Sequence, residues 1–198
     1  MNFILRLVLI GATLWLTACA SAPTSTTPGS ISEEDYIKQI QSKTQNTSQY
    51  DGFYQTFQAS ATLLTTDMTM ASLARRADMQ RWDSSKLQKE RDRSFQEMAA
   101  DTKFIVRLFT PEHQYNDLHQ PASTWKVYLE HEGKRYEGKA KKLTEKFMEV
   151  RHLYPYADRF SNFYEVTFKL PTTSAETSSV KFILTGPLGT AEFTYSAK

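Results

Sequence analysis

From Lys103 onward the chain breaks into short apolar or alternating runs separated by turn residues, and that spacing constrains the fold more than any other feature. The runs cover 104–109, 125–129, 135–137, 146–150, 163–168, 180–184 and 191–195. Each is shorter than an ordinary helix, and most are rich in aromatic or β-branched side chains, which suit a pleated surface. Turn formers stand between them, as in Glu132-Gly133-Lys134 and Gly186-Pro187-Leu188-Gly189. Short strands at this spacing indicate an antiparallel sandwich or barrel.

The strand period also appears once upstream. Phe53, Phe57, Ala59, Ala61 and Leu63 are apolar while Thr56, Gln58, Ser60 and Thr62 alternate with them. A strand over 53–64 is expected with Phe57, Ala59, Ala61 and Leu63 facing the core and Thr62 facing away; a helix through Phe53, Phe57, Ala61 and Leu64 is the competing register. Around it the pattern is helical. Ser32 precedes Glu33, Glu34, Tyr36, Ile37 and Ile40, Asp67 is placed to cap a helix reaching Trp82, and Asp83-Ser84-Ser85 opens another from Lys86 to about Ala100. The whole reads as mainly β: an immunoglobulin-like antiparallel β-sandwich with a helical insertion and a disordered N-terminal tether. That likeness is one of architecture and carries no function.

The chain has one cysteine, Cys19, so no internal disulfide staples the fold and a hydrophobic core must hold it. Ahead of Cys19, Arg6 precedes an apolar run over 7–16, the layout of a secretory signal. The run is too short to span a bilayer, which takes about 20 apolar residues. It ends in Leu16-Thr17-Ala18-Cys19, which resembles the lipobox of bacterial lipoproteins. The resemblance implies lipid transfer to the Cys19 thiol, cleavage after Ala18 and acylation of the new N-terminus; an ordinary signal peptide that contains a cysteine is the competing reading. Ala20 in place of Asp implies, in bacteria that sort by that position, onward transfer to the outer membrane. Residues 20–30 are small, polar and proline-bearing, a composition that buries no surface. The expected organisation is 1–18 signal, 19–34 lipidated cysteine and tether, 35–102 short helix, first strand and helical insertion, and 103–198 sandwich.

Catalytic signatures are sparse. No Gly-x-Ser-x-Gly or phosphate-cradling glycine loop occurs, so no nucleotide or other cofactor is indicated. His113, Asp117 and His119 could offer metal ligands, but their spacing matches no metal motif, and a polar loop crossing from one sheet to the other is the better account of them. Tyr154, Tyr156 and Arg159 lie in the densest aromatic run and could form a platform for a sugar or peptide, but aromatics entering a sandwich strand are more often core, and that reading is preferred. Arg75 and Arg76 open a basic stretch that could touch anionic headgroups, though interleaved acids suit a solvated helix as well. With 24 basic against 22 acidic side chains, global charge names no partner, and an exported chain meets no nucleic acid. The expectation is a membrane-anchored binding or structural module for another envelope protein, glycan or lipid. A hydrolase whose carboxylates assemble only in the fold is the alternative.

Overall fold

Ser32 opens the first helix of the described residues: its hydroxyl accepts the Asp35 N–H at 3.1 Å and caps α1 (Glu33–Ser42), which buries Tyr36 and Ile40. Glu33 and Glu34, read as tether, are thus helical. The computed structural model describes residues 31–197; the signal segment, Cys19 and residues 20–30 lie outside the described residues. After α1 come β1 (Thr44–Asp51), β2 (Tyr54–Leu63), α2 (Thr66–Gln80), α3 (Ser84–Ala100) and β3 (Thr102–Phe109). The remainder is β4 (Lys126–His131), β5 (Lys134–Glu137), β6 (Lys139–Lys142), α4 (Phe147–Leu153), β7 (Asn162–Phe168), α5 (Thr172–Thr177), β8 (Val180–Gly186) and β9 (Gly189–Tyr195).

The strands form two antiparallel sheets, one ordered β1-β2-β3-β7-β6 and the other β5-β4-β8-β9. The protein is therefore mainly β, with two sheets and a few helices. Phe57, Ala59, Ala61 and Leu63 of β2 join Phe104, Val127, Phe168, Phe182 and Phe193 in one core between the sheets. Between β5 and β6 the chain crosses from one sheet to the other through the single residue Gly138. A Cβ there would stand 2.6 Å from Phe168 Cε1 and 2.8 Å from Val127 Cγ2, so only glycine lets the strand turn this corner.

A helical layer covers the outer face of the five-stranded sheet. Tyr36, Ile40, Met68, Ala71, Val150 and Leu153 pack there against Ile105, Phe163 and Tyr154 in a second core. This corrects the expectation for Thr62. It does point away from Phe57 and Ala61, yet it is fully buried, and its hydroxyl lies 2.7 Å from Thr44 Oγ1 and 2.6 Å from Tyr156 Oη. Both faces of β2 are interior.

Other local expectations change for identifiable reasons. Phe53, expected in the strand, sits instead in the two-residue turn between β1 and β2, beside Gly52 at φ +59°, and is fully exposed. Thr65, not Asp67, caps α2, because its extended backbone presents Oγ1 to the Met68 N–H at 3.3 Å. Residues 147–150 belong to α4, with Lys146 as its N-cap, and not to a strand. Phe147, Val150 and Leu153 repeat at helical spacing, and a five-residue apolar run fits either period. Edge strands β1 and β6 lack apolar alternation. In β1 the Gln45 and Gln49 side chains donate to the Thr194 and Thr190 carbonyls of β9, tying the two sheets along one seam. Lysines on β6 discourage further strand pairing at the other edge. No helix among the described residues is long and apolar enough to cross a membrane.

Candidate functional site

Where β6 ends, α4 passes and β7 begins, the surface opens into a cleft of about 280 Å³. Its floor is apolar: Leu143, Phe147, Val150 and Phe163. Phe147 and Val150 share one face of α4 through their i,i+3 spacing. Leu143 is fixed beside Phe163 by its N–H bond to the Phe163 carbonyl at 2.9 Å, which prolongs the β6–β7 ladder by one rung.

The polar rim is organised by Asp158. Its Oδ1 accepts the Phe160 and Ser161 N–H groups at 2.8 Å each, and its Oδ2 accepts Ser161 Oγ at 2.7 Å and Arg107 Nη1 at 2.8 Å. Burial alone would push this carboxyl up, but the bonds from Ser161, the two backbone N–H groups and Arg107 outweigh it and hold Asp158 below the usual range. Arg107 reaches it from β3, braced by Ser60 Oγ at 3.1 Å. The second acid, Glu145, lies 3.4 Å from Arg76 Nη1.

Both acids of the cleft are thus matched by arginines. Lys142 and Arg159 line it with no acid paired to either among the described residues. Arg159 lies over Phe147, its Cζ 4.7 Å from the ring centroid, which places a cation above the apolar floor.

Of the residues singled out in the sequence, Arg159 alone faces this cleft. Tyr154 is buried in the second core, with its phenol pushed well up by burial, and so forms no platform. Tyr156 stacks on Phe163 at 6.0 Å and spends its hydroxyl on Thr62. Arg75 is committed to Glu33 at 2.5 Å, to the His152 carbonyl at 2.8 Å and to the Tyr36 ring. Cys19 lies outside the described residues. His113 opens a short 3-10 turn, Asp117 accepts Ser123 Oγ at 2.9 Å, and the His119 ring lies 5.7 Å from that of Tyr164. Among the described residues no three metal-ligating side chains converge.

Lys142, Glu145 and Phe147 escaped sequence reading because they come from separate elements; Arg107, the last residue of the basic stretch that Arg75 and Arg76 open, joins them from β3. The turn did carry a signal. Asp158 followed by Phe160 and Ser161 is the pattern of a side chain accepting backbone N–H groups two and three residues on.

The sequence matches no protein-family model and no curated protein. Function must be argued from geometry.

A carboxylate pair does meet elsewhere. Lys103 Nζ bridges Glu97 at 2.7 Å and Glu165 at 3.3 Å, beside a smaller cavity of about 150 Å³ that Asp101 and Arg76 also line. Burial would raise the Glu97 carboxyl, but Lys103 and Arg93 more than reverse this and hold it below its ordinary value. A general acid needs the opposite displacement. The ammonium also fills the space between the two carboxylates that a substrate would occupy.

Proposed function

We propose that this chain is a lipoprotein of the bacterial cell envelope, lipid-anchored through Cys19 and held at the outer membrane, whose folded domain is a binding module. The Leu16-Thr17-Ala18-Cys19 string supports the anchor. Two or three acyl chains, each gaining about 0.8 kcal/mol per buried methylene, hold a protein at a bilayer without a transmembrane helix. The observation that carries the binding reading is the cleft: an apolar floor under two cations that no acid among the described residues pairs, with its own acids matched by arginines. Such a site can retain a ligand but has no group poised to move a proton. The hydrolase reading loses support from the direction in which Glu97 and Asp158 are displaced.

We further propose that the sheets are an immunoglobulin-type sandwich. The order β2-β3-β7-β6 corresponds to A-B-E-D, and β5-β4-β8-β9 to C-F-G with one added strand beside C. On this reading α2 and α3 are an insertion between the first two strands, and α4, with the cleft, occupies the D-to-E connection.

Metabolic labelling with a fatty acid tests the anchor: label is expected in the wild type and not in Cys19→Ala, and equal label in both ends the lipoprotein reading. Co-purification from the native membrane tests the module. An envelope protein, glycan or lipid retained by the wild type and released by a cleft variant supports it.

A further inference from the structure

The charge pattern of the cleft specifies its ligand more narrowly than binding in general. Resting on the binding-module reading above, we infer that the cleft takes a small molecule or terminal group in which one anionic centre, phosphate or carboxylate, is joined to a short apolar body.

Each half of that description has its own counterpart. The anion meets Lys142 and Arg159. Asp158 does not repel it, since four donors including Arg107 surround its two oxygens, and Glu145 is offset by Arg76. The cleft and the arginines behind it therefore present an excess of positive charge at a short distance from Leu143, Phe147, Val150 and Phe163. Arg159 already rests on Phe147, so its guanidinium is poised over the floor and gives up little freedom when it bonds an anion. The apolar body meets the floor. A volume of about 280 Å³ lies at the small end of ligand pockets, which suits a single anionic unit and not a folded partner.

The test uses the purified full chain in nanodiscs of lipid without net charge, titrated with hexyl phosphate and hexanoate. These share the inferred chemistry and separate a phosphate source from a carboxylate one. Inorganic phosphate and hexanol carry one half each. Saturable one-to-one binding of either amphiphile is expected, tighter than both halves and weakened about tenfold in Arg159→Gln and in Lys142→Gln. Melting temperatures should stay at the wild-type value, because both side chains are exposed. Lys134→Gln, in the other sheet, should bind as the wild type does. Hexanol or inorganic phosphate binding as tightly as the amphiphiles overturns the inference, as does amphiphile binding unchanged in both cleft variants. If no amphiphile binds while a co-purified partner is lost in Arg159→Gln, the ligand class fails and the binding-module reading stands. A partner retained in Arg159→Gln together with no amphiphile binding removes the cleft from both.

Discussion

Phe104 on β3 and Phe182 on β8 meet across the gap between the two sheets with ring centroids 4.9 Å apart. Phe168 closes edge-on against both at 5.8 Å, and Tyr195 against Phe104 at 5.4 Å. In a domain without disulfides this ring cluster is the principal clamp between the sheets. Phe104→Ala should destabilise the domain by about 3–5 kcal/mol, the range for emptying a buried aromatic site. Denaturant unfolding measures it; a loss below about 1 kcal/mol would show that the clamp lies elsewhere.

The corner at Gly138 should be as sensitive as the ring cluster, for a steric reason. Gly138→Val places branched carbon against Phe168 and Val127, where even a single Cβ lacks room. Reduced yield of folded protein and a lower melting temperature are expected. Gly52→Ala tests the contrast: nothing lies within 4 Å of its Cβ, and the strain comes only from φ +59°, so its effect should be of order 1 kcal/mol.

Ala61→Asp and Thr62→Asp should both unfold the domain, although their side chains point to opposite faces of β2. Ala61 faces the inter-sheet core, and Thr62 is sealed under the helical layer with Tyr156. Burying an unpaired carboxylate costs several kcal/mol on either side. Phe53→Asp, in the exposed turn, should melt within a few degrees of the wild type. A stable Thr62→Asp variant would show that the helical layer does not cover β2.

Acid should weaken the domain partly through Asp158. Its folded-state pKa is held below the ordinary aspartate value of 3.8, so the stability it contributes is complete above that value and is lost as pH falls through the lower, folded one. Melting temperatures taken from neutral pH to about 2.5 should fall less steeply in Asp158→Asn than in the wild type, from a lower starting value. Parallel curves would remove Asp158 from the acid response.

Alkali acts in the opposite sense. Burial pushes Tyr156 and Tyr164 up to about 12 and raises Tyr36, Tyr154 and Tyr195 as well. Stability from these phenols is complete below their ordinary value near 10 and is lost as pH rises through the folded values. Tyrosinate absorbance should therefore appear in two stages, with the late stage coinciding with loss of ellipticity. A single early stage would show the buried hydroxyls to be solvated.

What the sequence determined by itself is local. The alternation of Phe57, Ala59, Ala61 and Leu63, the apolar runs that became β3, β4, β7, β8 and β9, and the caps at Ser32 and Asp83 are each written in a few adjacent residues, because backbone period and capping depend on near neighbours. Edge strands β1 and β6 were not legible, since they face solvent or a neighbour's carbonyls and need no apolar period. Residues 146–150 satisfied strand and helix alike until the outer sheet face gave Val150 and Leu153 a surface to cover. The burial of Thr62 and Tyr154 and the making of the cleft were decided only in three dimensions. Arg107, Glu145, Phe147 and Arg159 come from a strand, a loop, a helix and a turn, and which charges are neutralised and which stay free depends on distances that no spacing along the chain encodes.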